Sequence, residues 1–459
     1  MNRLSDIASF VAGFPAGSIA PAALERAKLA LIDFTGVAIA GSVEPVAKII
    51  ANHIARSARG NATVIGTAIR ASAADAALAN AVAGHALDFD DSNFVLGGHP
   101  SVTLLPALLA VGEERGRGGR DILDAYVIGF EVMMKFARAV NFEHYEKGWH
   151  PTATLGTFGA TAAVARLLRL PDGVIQHALG LAASMASGVK ANFGAMAKPL
   201  QVGQASQKGV LCAQLAADGL TASAAAVEGR QGFLAAYNGA GNCRPEELTA
   251  FGDTLEIIHS GLMFKKYPCC GATHAPIDAA LVLVRTHRLR GEEIGAITIV
   301  LNQRRLPHVD RPVVTTGLEA KFSVQYCVAA ALADGAISLR HFGDAAIARR
   351  DLQDLTARVT ASGVDRGESL SQACELKVRL KDGSTRFIQQ ADAEGRAADD
   401  YPAYMETKFT DCVSQVFDPA YVTQLLPQLR SFERCANVTT VMGLLAQSRP
   451  AATKKAMQS

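Results

Sequence analysis

Apolar residues recur at three- and four-residue spacing through roughly the first 260 residues, the period of helices that each bury one face. The segments that carry the pattern most clearly are 21–41, 71–86, 104–116, 122–140, 154–170 and 204–218, most of them bounded by Gly, Pro or Asn. Their many small residues predict close helix packing. After Pro268 the period changes. Residues 296–302 (Ala-Ile-Thr-Ile-Val-Leu-Asn) and 374–380 (Cys-Glu-Leu-Lys-Val-Arg-Leu) read as strands. The second runs into Lys-Asp-Gly-Ser-Thr-Arg-Phe-Ile, where Asp382-Gly383 between alternating runs signals a hairpin. Helical segments at 275–287 and 323–334 accompany these strands, an α+β composition distinct from the first half. Helical periodicity returns from Tyr404.

These patterns predict a mainly α protein: a large all-α domain over 1–267, completed by 401–459, and a smaller α+β domain over 268–400. The polar tail 451–459 is expected to fray. The length of 459 residues, beyond one ordinary hydrophobic core, agrees with two domains. With 49% hydrophobic and 19% charged residues, the chain is an ordinary globular one. Its formal charge of +2 is spread without a basic stripe, which argues against nucleic-acid binding. The amino terminus lacks the signal-peptide pattern, and apolar stretches are short or interrupted, as at Asp33. A cytoplasmic protein without a membrane span is expected. The eight scattered cysteines form no Cys-x-x-Cys pair and are expected to be reduced.

Four clusters carry chemistry. The first is His85-Ala-Leu-Asp88-Phe-Asp90-Asp91-Ser92, followed by Gly97-Gly98-His99-Pro100-Ser101. Its carboxylates and histidines could hold a divalent cation, although most acidic clusters cap helices or pair with lysines. A Gly-Gly loop beside a histidine suggests close backbone approach to a ligand. The second is Lys147-Gly148-Trp149-His150-Pro151-Thr152, with His150 at a helix amino terminus that favours neutral imidazole and attracts anions. In the third, Lys198 stands in the uncharged run 192–201. Either it reaches solvent, as most lysines do, or it binds a substrate carboxylate. The fourth, Lys265-Lys266-Tyr267-Pro268-Cys269-Cys270, lies at the junction of the two halves, where ligand clefts are favoured. Adjacent lysines there suit an acidic substrate. The vicinal cysteines lack metal spacing and an activating arrangement.

At these places the sequence resembles the MmgE/PrpD family, which includes 2-methylcitrate dehydratase, cis-aconitate decarboxylase and iminodisuccinate epimerase. The shared motifs are Asp-Phe-Asp-Asp-Ser then His-Pro-Ser, Gly-Trp-His-Pro-Thr, Ala-Lys-Pro-Leu with Gly203-Gln-Ala, Lys-x-Tyr-Pro, and Glu319-Ala-Lys-Phe-Ser323-Val-Gln-Tyr326. They span nearly the whole chain. The resemblance implies an all-α domain built from both chain ends, an α+β lid, a cleft between them, and a homodimer working without metal or cofactor. Its implied catalytic residues are Asp88, His99, His150, Lys198 and Tyr326. Ser92, where threonine is usual, and Lys265 would bind substrate, and Lys266, from its place beside Lys265, is expected to join them.

Reactions of this family move a proton at carbon next to a carboxylate, and lysines and backbone donors must stabilise the charge that builds there. Two departures stand out: the loop from Ser92 to His99 is one residue longer than in cis-aconitate decarboxylases, and Cys270 falls where those enzymes share a histidine. These favour a cofactor-independent epimerase of an aminodicarboxylate such as iminodisuccinate. The alternative within the family is a hydro-lyase or decarboxylase of a tricarboxylate. Two other classes stand beside these: a non-catalytic helical binding module, in which the charged groups never converge, and a metal-dependent hydrolase using Asp88, Asp90 and His99.

Overall fold

Proline at the first turn and glycine at the last delimit the helix Pro21–Gly41, whose second half is buried on all sides. We describe the chain from a computed structural model, over residues 3–251, 254–365, 373–390, 401–418 and 420–446; the tail expected to fray, 451–459, lies outside them. Helices Ala73–His85, Ser101–Glu114 and Gly119–Val140 pack on Pro21–Gly41, and Pro151–Leu168 and Ala197–Ala217 pack on those in turn; the last begins seven residues before its predicted start, and the others lie within a few residues of their predicted spans. The small residues act as the sequence suggests. A Cβ at Gly209 would meet Ala160 Cβ at 2.3 Å, so the crossing of Ala197–Ala217 over Pro151–Leu168 requires glycine there.

The carboxyl-terminal helix Tyr401–Ser414 returns to this bundle. Phe409 packs against Gly36, and Lys408 Nζ lies 2.6 Å from Asp33 Oδ1. One hydrophobic core accordingly runs from Leu4 to Phe264 and resumes between Met405 and Leu445. A second core begins at Tyr267 and includes Val378. Its sheet has the strand order Val359–Val364, Ile294–Asn302, Cys374–Leu380, Thr385–Gln390. The first pair is parallel, with Ile297 opposite Val359; the others are antiparallel, with Val378 opposite both Ile297 and Arg386. The predicted hairpin is present, with Gly383 at φ 88° and Leu380 N–H donating to Ser384 O. Cys374, Leu376 and Val378 turn one strand face toward helices His274–His287 and Val324–Asp334.

The fold is thus mainly α. No single described helix is long and apolar enough to cross a membrane. Residues Leu262 to Pro268 link the two cores, and the ammonium of Lys321 ties them by donating to Leu87 O at 2.7 Å and Pro268 O at 3.0 Å.

Candidate active site

The helix Ala73–His85 ends three residues before Asp88, whose φ of 51° is left-handed, a conformation that aspartate tolerates better than most residues. That turn sends the Asp88 carboxylate inward. Its Oδ1 accepts from Lys198, and its Oδ2 accepts from Lys265 at 2.7 Å; Lys265 also donates to Asp88 O at 2.8 Å. All three residues are buried. Burial opposes the charge of Asp88, but the two lysines outweigh it and hold the carboxyl well below its ordinary range. Lys198 is therefore no solvated surface lysine. Its ammonium lies 5.0 Å from the Phe193 ring and 4.8 Å from Phe322.

Two residues on, Asp90 orients a pair of histidines. His85 Nδ1 donates to Asp90 Oδ2 at 2.9 Å, and His99 Nδ1 is turned toward the same oxygen at 3.3 Å. The His85 and His99 rings meet edge to face, 4.7 Å between centroids. Burial, against the pull of Asp90, lowers His85 to about 4, so it is neutral at pH 7. His99 Nε2 stands 3.9 Å from Asp88 Oδ1. The loop before His99 is shaped by Asn93, which receives Leu96 N–H on its side chain and Gly97 N–H on its backbone carbonyl. A Cβ at Gly98 would meet Thr152 Oγ1 at 2.4 Å, and that same hydroxyl accepts from His99 N–H at 3.0 Å. The Gly-Gly pair thus lets the backbone approach Thr152 closely, and both glycines line the cavity described below.

His150 caps the helix Pro151–Leu168, as its place before proline predicts. Its Nδ1 is 2.9 Å from Gln201 Oε1, while Gln201 Nε2 donates to Val189 O. This pairing makes Nδ1 the protonated nitrogen and leaves Nε2 basic. Burial first, then the Lys198 charge, push His150 well below its ordinary pKa.

Asp88, Ser92, His99, His150, Lys198 and Lys265 line one cavity of ≈ 100 Å³. Groups up to 177 positions apart in sequence converge there, which a non-catalytic helical module does not call for. Ser92 Oγ is buried on this lining with no hydrogen-bond partner among the described residues. Cys270 lines it too, so one of the two departures from the decarboxylase pattern faces the site. Two expected site residues stand elsewhere. Tyr326 is buried in the second core, its N–H capped by Ser323 and its hydroxyl donating to His341 O at 2.6 Å. Lys266 pairs with Asp278 at 3.2 Å, because neighbours in an extended segment point to opposite sides.

Spacing alone would let His85, Asp90 and His99 hold a cation, their donor atoms lying within 4.8 Å of one another. The trio read from the sequence fits less well: both carboxylate oxygens of Asp88 already receive ammonium groups, whose charge opposes a further cation. Sequence reasoning placed His85 and Asp90 in the first cluster as possible cation ligands, not as the pair that orients the site, and missed Gln201 and Phe193. Gln201 was within reach, since it lies three residues beyond Lys198 on the same helix face.

Comparison with known proteins gives the family. The MmgE/PrpD N-terminal domain matches residues 5–246 and the MmgE/PrpD C-terminal domain residues 267–427. Cis-aconitate decarboxylase of Homo sapiens is 30% identical, over 95% of this chain and 93% of that protein. The Mus musculus protein of the same name is 30% identical, over 84% and 81%, and that of Aspergillus terreus is 26% identical, over 92% and 91%. The chain belongs to the MmgE/PrpD family. Its kinship is with enzymes, and these relatives are decarboxylases by name, so the leaning toward an epimerase finds no support among them.

Proposed function

We propose that this protein is a lyase that decarboxylates a small unsaturated tricarboxylate of the cis-aconitate type. The observation that carries the reading is the convergence of Lys198, Lys265, His99 and His150 on one cavity around Asp88. The relatives supply the reaction class by analogy.

Decarboxylation of such a substrate breaks the C–C bond to a carboxylate whose carbon lies beside the alkene. The bonding pair forms a new double bond, and the former alkene pair takes a proton at the carbon bearing another carboxylate. The enzyme must hold the carboxylates that remain, stabilise charge between them and deliver that proton. Lys198 and Lys265 supply positive charge from buried positions, where one well-placed donor contributes about 3 kcal/mol to lowering a barrier. Ser92 Oγ offers a further donor. In the free enzyme His150 is neutral, with Nε2 basic; a polyanion beside it raises its proton affinity, so substrate entry loads the proton it then delivers. His99, turned by Asp90, is the second acid–base group. In this reading the α+β unit closes over the cavity as a lid.

Turnover of a panel of cis-aconitate, 2-methylcitrate and iminodisuccinate, followed by chromatography, tests the proposal. Itaconate and CO₂ from cis-aconitate, lost in Lys198→Ala and His150→Ala, are expected. Interconversion of iminodisuccinate isomers with no CO₂ would return the epimerase.

A further inference from the structure

A second cavity, of ≈ 280 Å³, opens beside the first, and Gly97, Tyr145, Arg305 and His308 line both. The partition is a contact between two side chains. Tyr145 Oη lies 3.2 Å from His308 Nε2, and the two rings meet edge to face at 5.3 Å. Burial, then the charges of Lys190 and Arg305, lower His308 to about 4, so the ring is neutral at pH 7 and shares one hydrogen bond with the tyrosine hydroxyl. Lys190 Nζ sits 3.4 Å over the Tyr145 ring, and Arg304 joins Lys190 and Arg305 on the outer chamber against the one acid, Glu146. The chamber is cationic, as an entry for a polyanion should be.

Charge on the inner lining is informative. It holds one carboxylate, Asp88, which both Lys198 and Lys265 already contact. A tricarboxylate brings three negative charges, and three Lys or Arg side chains line that cavity: Lys198, Lys265 and Arg305. Arg305 precedes the short helix Leu306–Val309, in the turn that leaves the strand Ile294–Asn302. Its planar fork suits a carboxylate in a way an ammonium does not.

We propose that Arg305 is a specificity-determining residue that holds a substrate carboxylate remote from the reacting carbon, at the wall shared by the two cavities. The inference rests on the tricarboxylate reading given under Proposed function. Lys198 and Lys265 then serve the reacting end, and Arg305 separates a tricarboxylate from a dicarboxylate of similar width.

The test uses the full-length enzyme, Arg305→Gln and Arg305→Lys, with melting temperatures as the check on folding. Two probes are titrated by calorimetry: tricarballylate, a saturated tricarboxylate that cannot lose CO₂ by the allylic route, and glutarate, a dicarboxylate. For Arg305→Gln we expect tricarballylate affinity and the KM for cis-aconitate to worsen about tenfold or more, with kcat and glutarate affinity little changed, the scale of one charge-assisted contact. Arg305→Lys keeps the charge, loses the fork and falls between. It serves as the decisive variant if Arg305→Gln does not fold. Unchanged tricarballylate affinity in a folded variant, or a loss confined to kcat, overturns the role of Arg305 while wild-type turnover still supports the lyase. A wild-type enzyme that neither binds tricarballylate nor converts cis-aconitate overturns both.

Discussion

Lys265 grips Asp88 twice, at carboxylate Oδ2 and at the backbone carbonyl, and so joins the linker between the two cores to the loop that follows helix Ala73–His85. Lys198 completes the arrangement from a third element. One buried carboxylate therefore sets the position of both lysine ammonium groups on the cavity lining.

Breaking this cluster is expected to be costly. Asp88→Asn leaves two buried ammonium groups without their counter-charge, and loss of one partner of a buried pair costs about 3 to 5 kcal/mol. Chemical denaturation of Asp88→Asn and Lys265→Met should show losses on that scale together with loss of turnover. The carboxyl of Asp88 is depressed in the folded protein, so its contribution is complete above the ordinary aspartate range and is lost as pH falls through it.

The buried histidines set a second pH dependence with a higher onset. His85 and His144 are held near 4, below the ordinary value of 6.5, chiefly by burial. The unfolded chain therefore takes up their protons first as pH falls. Stability is fully present above about 6.5 and declines toward 4, by roughly 2 kcal/mol for each histidine at pH 5. Melting temperatures should stay level from pH 8 to about 6.5 and fall from there to pH 5, and His144→Gln, which lies outside the cavity lining, should flatten the fall.

Gln201 fixes which nitrogen of His150 carries the proton. Gln201→Met removes the acceptor and frees the ring, whereas Gln201→Glu adds a charge that raises the pKa of His150. We expect kcat to drop about a hundredfold in Gln201→Met, the lower end of what a positioned acid–base group contributes. The pH–rate profile of Gln201→Glu should shift upward, a displacement that a purely structural role would not produce.

Cys270 lines the cavity, yet burial, with the nearby Asp88 charge, pushes its thiol above the ordinary range. It stays protonated at neutral pH and is a poor nucleophile. Cys270→Ala should retain kcat to within a few-fold, and intact-protein mass spectrometry should find no covalent adduct after turnover.

Much of this was legible in the sequence because it depends on local pattern. Pro21 and Gly41 mark both ends of a helix, and Asp382-Gly383 marks a hairpin, whatever the surrounding fold. Asp88, Ser92, His99, His150, Lys198 and Lys265 were found through motifs and share one cavity. What was not legible depends on long-range packing. Nothing local separates Lys265, which turns inward, from Lys266, which turns toward Asp278. Tyr326 carries a family motif but spends its hydroxyl on His341 O. Arg305 sits in a charged turn that reads as solvated surface, and only the meeting of the two cavities gives it a place in the site. Lys408, whose ammonium donates to Phe89 O, reaches this loop from 319 positions away.

The central claim is that the cluster around Asp88 places a proton on an alkene carbon as CO₂ leaves. Proton NMR of the enzyme with cis-aconitate in D₂O tests it most directly. Itaconate carrying one deuterium on its saturated methylene is expected, formed at the rate cis-aconitate disappears and abolished in His150→Ala. Consumption of cis-aconitate to a hydrated product, or exchange of its protons with no vinylidene signal from itaconate, would contradict it.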